Sequence, residues 1–107
     1  SYAPAAAPRT MAKTAAAVRH QLLLVMRVSD LDAAGGEAAG VLRRYGTGTS
    51  SRQAGAQRMI ITADIKSRLI KDTIEKLKPL GSLRVIGNIP EAPETTVTVK
   101  VEIIAAD

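Results

Sequence analysis

The sequence predicts an α+β protein in which two helices pack on one face of a small antiparallel sheet. Residues 96–103 alternate strictly between apolar and polar side chains, as expected for a strand with one buried and one solvated face. Residues 31–45 and 70–77 instead repeat apolar residues at helical spacing. The approximate element order β-α-β-α-β-β fits a ferredoxin-like sandwich of two layers.

The length and composition of the chain limit its domain organisation. With 107 residues, the chain has room for one compact domain. Residues 1–18 are rich in alanine and contain Pro4 and Pro8, which predicts a disordered linker, so the domain is expected at residues 19–107. No apolar run reaches the roughly 18 residues that a membrane span requires. The core must be aliphatic, because the chain has no Phe and no Trp.

The first strand and the first helix follow the linker directly. Residues 21–28 read QLLLVMRV, and their period of two places Leu22 and Leu24 on one face and Leu23 and Arg27 on the other. A helix is predicted over residues 31–45, because Leu31, Ala34, Ala38, Val41, Leu42 and Tyr45 recur at helical spacing. Asp30 and Asp32 suit its start, and Gly46 suits its end.

The middle of the chain predicts a loop, a strand and the second helix. Residues 46–55 lack apolar periodicity, which indicates a flexible loop or a hairpin-like excursion. A strand is predicted over residues 57–63, followed by a helix with Ile70, Thr73, Ile74 and Leu77 on one side. Asp64 or Ser67 is expected to cap this helix. Pro79 and Gly81 are expected to end it, by a missing donor and a positive φ respectively.

The last third of the chain predicts two further strands. Residues 83–86 form a short apolar segment that Gly87 ends, and residues 88–93 contain two prolines and read as a turn-rich connection. In the final strand, Val97, Val99, Val101 and Ile103 are expected to face the core, whereas Thr98 and Lys100 face water.

Several classes of chemistry are excluded by composition or weakened by spacing. The chain has no cysteine and one histidine, so disulfides, thiolate metal sites and cysteine nucleophiles are absent. Asp30, Asp32 and Glu37 lack the alternating spacing of a calcium loop, and helix capping explains the aspartates. Residues 46–52 read GTGTSSR, which lacks the spacing of a phosphate-binding loop. The sequence therefore predicts no cofactor and no enzymatic activity.

Positive charge is concentrated in the first half of the chain. Residues 1–58 contain 8 basic and 3 acidic residues, and residues 59–107 contain 7 of each. The candidate anion contacts are Arg43, Arg44, Arg52 and Arg58. They would attract nucleic-acid phosphates or anionic lipid headgroups, although solubility or a position next to a membrane also explains the charge. The predicted strands lack the aromatic residues on which common RNA-binding sheets stack bases.

The second half of the chain resembles a known type of bacterial domain. Residues 59–103 read MIITADIKSRLIKDTIEKLKPLGSLRVIGNIPEAPETTVTVKVEI. This arrangement is similar to extracytoplasmic domains of membrane-anchored proteins of uncharacterised function, including domains attached to zinc-finger anti-sigma-factor-like proteins. The likeness extends over residues 21–104, and its motifs are structural, such as Leu77, Leu80 and Gly81. Such domains often enter the second helix through a Val-Pro pair, whereas Thr62, Ala63 and Asp64 stand here.

Two functions follow as expectations. The resemblance implies a non-catalytic sensing or protein-interaction domain of a membrane-associated bacterial protein, located in the periplasm, with a protein or a second copy as partner. Membrane attachment would then depend on parts of the parent protein outside this chain. The alternative is a cytoplasmic, basic module that binds nucleic acid with a ferredoxin-like fold.

Overall fold

The computed structural model describes residues 20–105, and the linker expected at residues 1–18 lies outside them. The described elements are β1 (His20–Val28), α1 (Leu31–Tyr45), β2 (Gly46–Gln53), β3 (Arg58–Lys66), α2 (Ser67–Leu77), a 3-10 helix (Lys78–Leu80), β4 (Ser82–Ile86) and β5 (Thr96–Ala105). The α+β class expected from the sequence is therefore confirmed.

The sheet differs from the expected one in strand number and direction. Its five strands are ordered β2-β3-β5-β1-β4. β1 and β5 are parallel, whereas the other neighbouring pairs are antiparallel. The expectation of a small, entirely antiparallel sheet with the simple order β-α-β-α-β-β is thus wrong. β2 adds a strand after the first helix, and β5 lies between β1 and β3, so a ferredoxin-like strand order is not observed.

Both helices contribute to one core on one face of the sheet. The buried core residues of the strands are Leu22, Leu24, Met26, Val28, Ile61, Ala63, Ile65, Val97, Val99, Val101 and Ile103. Ala34, Ala38 and Leu42 of α1 pack with them, as do Ile70 and Leu77 of α2. The predicted inward register of the final strand is confirmed. Because side chains alternate along a strand, the other set of strand residues faces away from the helices.

Local sequence explains how α1 begins and where β2 follows it. Asp30 is the N-cap of α1, and its Oδ1 accepts a hydrogen bond of 3.2 Å from the Ala33 N–H. Gly46 ends the helix and directly begins β2. The expectation of a flexible loop over residues 46–55 is wrong for most of that segment, and the hairpin-like alternative is closer. β2 pairs only with β3 at the sheet edge and is mostly exposed, so its sequence needs no apolar periodicity.

The loop between β4 and β5 accepts hydrogen bonds from the backbone N–H groups at the start of α2. Neither Asp64 nor Ser67 caps the helix, because Asp64 lies within β3 and Ser67 is the first helical residue. The backbone N–H groups of Ser67 and Arg68 donate to the carbonyls of Thr95 and Pro93, at 2.8 and 3.1 Å. The Ser67 hydroxyl also donates to the Ala92 carbonyl. Loop 87–95 therefore supplies the acceptors that a capping side chain would provide.

Candidate binding face

The candidate functional surface is the face of the sheet opposite α1 and α2, called here the open face. Residues paired directly across neighbouring strands point to the same side, so the registers define its members. Its basic residues are Arg27, Arg52, Arg58, Lys66, Arg84 and Lys100. Its apolar residues are Leu23, Val25, Ile60, Ile86 and Ile104. Cations and aliphatic side chains are thus interleaved over all five strands.

The net positive charge of the described chain lies on this face. The six basic residues there are accompanied by two acidic residues, Asp64 and Glu102, which leaves a surplus of four positive charges. The remaining described residues include six basic and seven acidic side chains, a net charge of −1. One of these acidic side chains pairs with the face at its end, where Lys66 Nζ lies 3.6 Å from Glu94 Oε1. An anionic partner would therefore be attracted to the open face rather than to the helices.

Hydrogen bonds and one ion pair occupy part of the open face. Arg58 Nη1 lies 3.1 Å from Glu102 Oε2, and Thr98 Oγ1 donates to Asp64 Oδ1 at 2.9 Å. Both acidic side chains of the face are thereby engaged. Lys66 is paired with Glu94, which lies outside the face. Within residues 20–105, no ion pair involves the remaining four cations of the face, Arg27, Arg52, Arg84 and Lys100. These four side chains are the groups with which a partner can form new ion pairs.

An open depression of about 550 Å³ lies on this face and extends across β3, β5, β1 and β4. Its lining residues are Gln21, Leu22, Leu23, Thr62, Ile86, Thr98 and Lys100. Lys100 faces Thr62 on one neighbouring strand and Leu23 on the other, and Leu23 in turn faces Ile86. The depression therefore has a polar side at β3 and an aliphatic side at β4. The side chain of Ile86 is among the most exposed large apolar groups described, at 46%.

The structure separates the four arginines that the sequence suggested as anion contacts. Arg52 and Arg58 face the open side, opposite Ile60 and Ile104 respectively. Arg43 and Arg44 lie in the last turn of α1, in the layer on the other side of the sheet. These two pairs cannot bind one small ligand together, because the sheet lies between them.

Sequence reasoning missed Arg27 and Arg84 as members of the candidate site. The alternation of β1 did place Leu23 and Arg27 together on the face opposite Leu22. No sequence signal indicated that β4 pairs with β1, which is what places Arg84 opposite Val25. Lys100 was expected to face water, and its position in a depression between four strands depends on the strand order.

Other chemistry-bearing residues do not assemble into a second site. Within residues 20–105, no group of three or more His, Cys, Asp or Glu side chains is placed to hold a metal ion. Asp30 is engaged as the cap of α1. The GTGTSSR segment belongs to the edge strand β2, which is followed by β3 and not by a helix whose N-terminus could hold a phosphate.

Comparisons with known proteins identify no relative of this chain. Protein-family models, curated proteins and solved structures gave no match to this chain. None of the helices described for residues 20–105 is long and apolar enough to cross a membrane.

Proposed function

We propose that this chain is a non-catalytic sensing or protein-interaction domain of a membrane-associated bacterial protein, and that it binds its partner through the open face. The observation that carries the binding role is the concentration of the net charge on a partly apolar face that no described element covers. The periplasmic, membrane-associated setting is supported by the sequence resemblance of residues 21–104. The partner is proposed to be a protein.

The chemistry of the open face supports recognition rather than catalysis. Four of its six cations are arginines, whose guanidinium groups stay protonated and therefore cannot accept a proton from a substrate. They are instead well suited to form bidentate ion pairs with carboxylates. Aliphatic residues beside them, the half-buried Leu23 and the exposed Ile86, add contact area that loses water on binding.

A protein partner fits this face better than nucleic acid does. Asp64 and Glu102 lie among the cations and would repel a phosphate backbone. The described strands contain no Phe, Tyr or Trp on which a base could stack. Interleaved aliphatic residues gain nothing from phosphates but bury area against a protein. Two copies of this chain meeting through their open faces would bring two positive surpluses together, so a different, acidic protein is favoured.

Paired charge reversals on the two layers test the binding role of the face. Arg27→Glu with Arg84→Glu changes the open face, and Arg43→Glu with Arg44→Glu changes the net charge equally on α1. The immobilised parent and both variants would be incubated with nuclease-treated extract of the source bacterium. We expect one or more polypeptides to be retained by the parent and the α1 variant and lost from the open-face variant.

Three outcomes would contradict the proposal. Retention of the same polypeptides by both variants would mean that the open face is not the binding surface. Equal loss from both variants would mean that net charge alone governs retention. In a parallel incubation with untreated extract, polypeptides that are retained only there, and less as salt rises, would favour the nucleic-acid alternative.

A further inference from the structure

Lys100 occupies the centre of the open face. It lies on β5, the middle strand of the five, and it is exposed. Its strand neighbours in register are Thr62 and Leu23, and it lines the depression of about 550 Å³. That volume is within the range of ligand-binding clefts, and it is large enough for more than one side chain of a partner.

The donors around the depression indicate which group binds there. The Thr62 hydroxyl is within hydrogen-bond distance of Ser50, at 3.0 Å, and the Thr98 hydroxyl donates to Asp64. The Lys100 ammonium is therefore the main charged donor facing the depression. Among the described residues it forms no ion pair of its own, so a ligand that places an anion here would not have to displace an existing partner.

A carboxylate suits this position better than a phosphate. Glu102 follows Lys100 by two residues on the same face, and Asp64 lies opposite Thr98 on the other side of Lys100. Both carboxylates would repel a doubly charged phosphate more strongly than a singly charged carboxylate. Leu23 and Ile86 form the opposite side of the depression, where an aliphatic group next to the carboxylate would lose water.

We propose that the depression anchors an acidic side chain and an adjacent aliphatic side chain from an acidic segment of another protein. This inference rests on the proposed function and assigns the partner's chemistry at one point of the open face. Charge complementarity identifies the occupant, since the open face has four surplus positive charges. Residues 1–19 of this chain contain three basic and no acidic residues, so their charge does not match the face.

The test uses backbone amide NMR titrations of the full chain with short blocked peptides. One peptide alternates valine and glutamate, and the control peptide has glutamine at each glutamate position. We expect the acidic peptide to shift the amide signals of Gln21, Leu23, Thr62, Ile86 and Lys100 in a saturable manner. The glutamine peptide should bind more weakly, because it lacks the charge that pairs with Lys100.

Two matched variants test the assigned anchor. Lys100→Gln removes the ammonium from the depression, and Lys71→Gln removes an exposed ammonium from α2. We expect Lys100→Gln to lower the affinity for the acidic peptide about threefold or more, as for loss of one exposed ion pair. The Lys71→Gln variant should bind like the parent. Dispersed spectra of both variants would show that they are folded.

Several results would overturn the inference. The inference fails if millimolar peptide causes no saturable shifts, or if the shifts are confined to α1 and α2. It also fails if both variants lower the peptide affinity equally, or if a short oligothymidylate shifts the same signals at lower concentration. The proposed function can be separated from the inference by extract retention. Polypeptides lost from the Arg27/Arg84 variant but kept by Lys100→Gln would preserve the binding face and reject the anchor.

Discussion

Gly81 and Gly46 each lie so close to the backbone of a neighbouring strand that a side chain does not fit. Neither glycine is required by a turn. The φ of Gly81 is 171°, which is extended backbone, so the positive φ expected from its position after Pro79 is wrong. A Cβ at Gly81 would lie 2.2 Å from the Arg27 carbonyl oxygen. At Gly46 a Cβ would lie 2.6 Å from the Asp64 carbonyl oxygen. Each glycine thus lets one segment pass directly against a strand.

Gly81→Ala is expected to destabilise the protein, because backbone of β1 has to move to admit the methyl group. Overpacking of this kind costs about 1–3 kcal/mol in free energy of unfolding. Gly36→Ala is the matched control, since no atom lies within 4 Å of its added Cβ and alanine is the better helix former by up to about 1 kcal/mol. Urea unfolding of both variants measures the difference. A Gly81→Ala variant as stable as Gly36→Ala would contradict the close approach.

β5 combines the clearest sequence pattern with the central place in the sheet. Its Val97, Val99, Val101 and Ile103 are at most 1% exposed. It pairs with β1 on one side and β3 on the other. Alternation alone was enough to predict which side chains are buried, because a strand offers only two faces. The alternation did not predict which two strands pair with β5, since strand pairing depends on residues distant in sequence.

Val99→Asp is expected to cost several kcal/mol in free energy of unfolding, because it buries a carboxylate among aliphatic side chains. Lys100→Asp introduces the same side chain at the next residue on the open face, where the cost should be about 1 kcal/mol or less. Thermal or urea unfolding monitored by circular dichroism gives both values. Equal destabilisation by the two substitutions would show that the register of β5 is wrong.

β2 illustrates an element that sequence periodicity does not reveal. Its residues GTGTSSRQ are mostly exposed, and it pairs only with β3 at the sheet edge. The pairing is interrupted between Thr47 and Ser50, and Gly48 has a φ of 63°. An irregular edge strand of this kind is also poorly suited to pairing with another chain. The open face is for that reason a better binding surface than the β2 edge.

In the described domain, the aliphatic core and the net positive charge lie on opposite sides of one sheet. The helix side contains the aliphatic core, and the open side contains the net positive charge. Among residues 20–105, the core cluster extends from Leu22 to Ile103. Folding is therefore expected to depend on this part of the chain.

Deletion of residues 1–18 is expected to change the Tm by no more than a few degrees, because Met11 and Val18 are the sizeable aliphatic residues among them and alanine methyl groups bury little area. A loss of about 1 kcal/mol would lower the Tm of a domain of this size by roughly 4–8 °C, so a larger drop would show that these residues stabilise the core. Differential scanning calorimetry gives the Tm, and the dispersion of methyl proton signals gives an independent check of packing.

The sequence alone was sufficient for features that depend on neighbours along the chain. The α1 cap at Asp30, the helical repeat of Ile70 and Leu77, and the alternation around Val99 are local patterns with a period set by backbone geometry. Local patterns also placed Leu23 and Arg27 on one face. Arg52 and Arg58 were recognised as candidate contacts from charge, but so were Arg43 and Arg44 on the opposite layer.

Tertiary structure decided the features that join distant segments. Pairing of β4 with β1 and insertion of β5 between β1 and β3 bring Arg84, Arg27 and Lys100 onto one face. The carbonyls that satisfy the start of α2 come from loop 87–95, so capping residues near Ser67 were unnecessary. Such contacts form because particular strands bury apolar area against one another, and local conformational preference does not determine them. No local pattern encodes them, because burial of a shared core selects the strand order only after the whole chain has assembled.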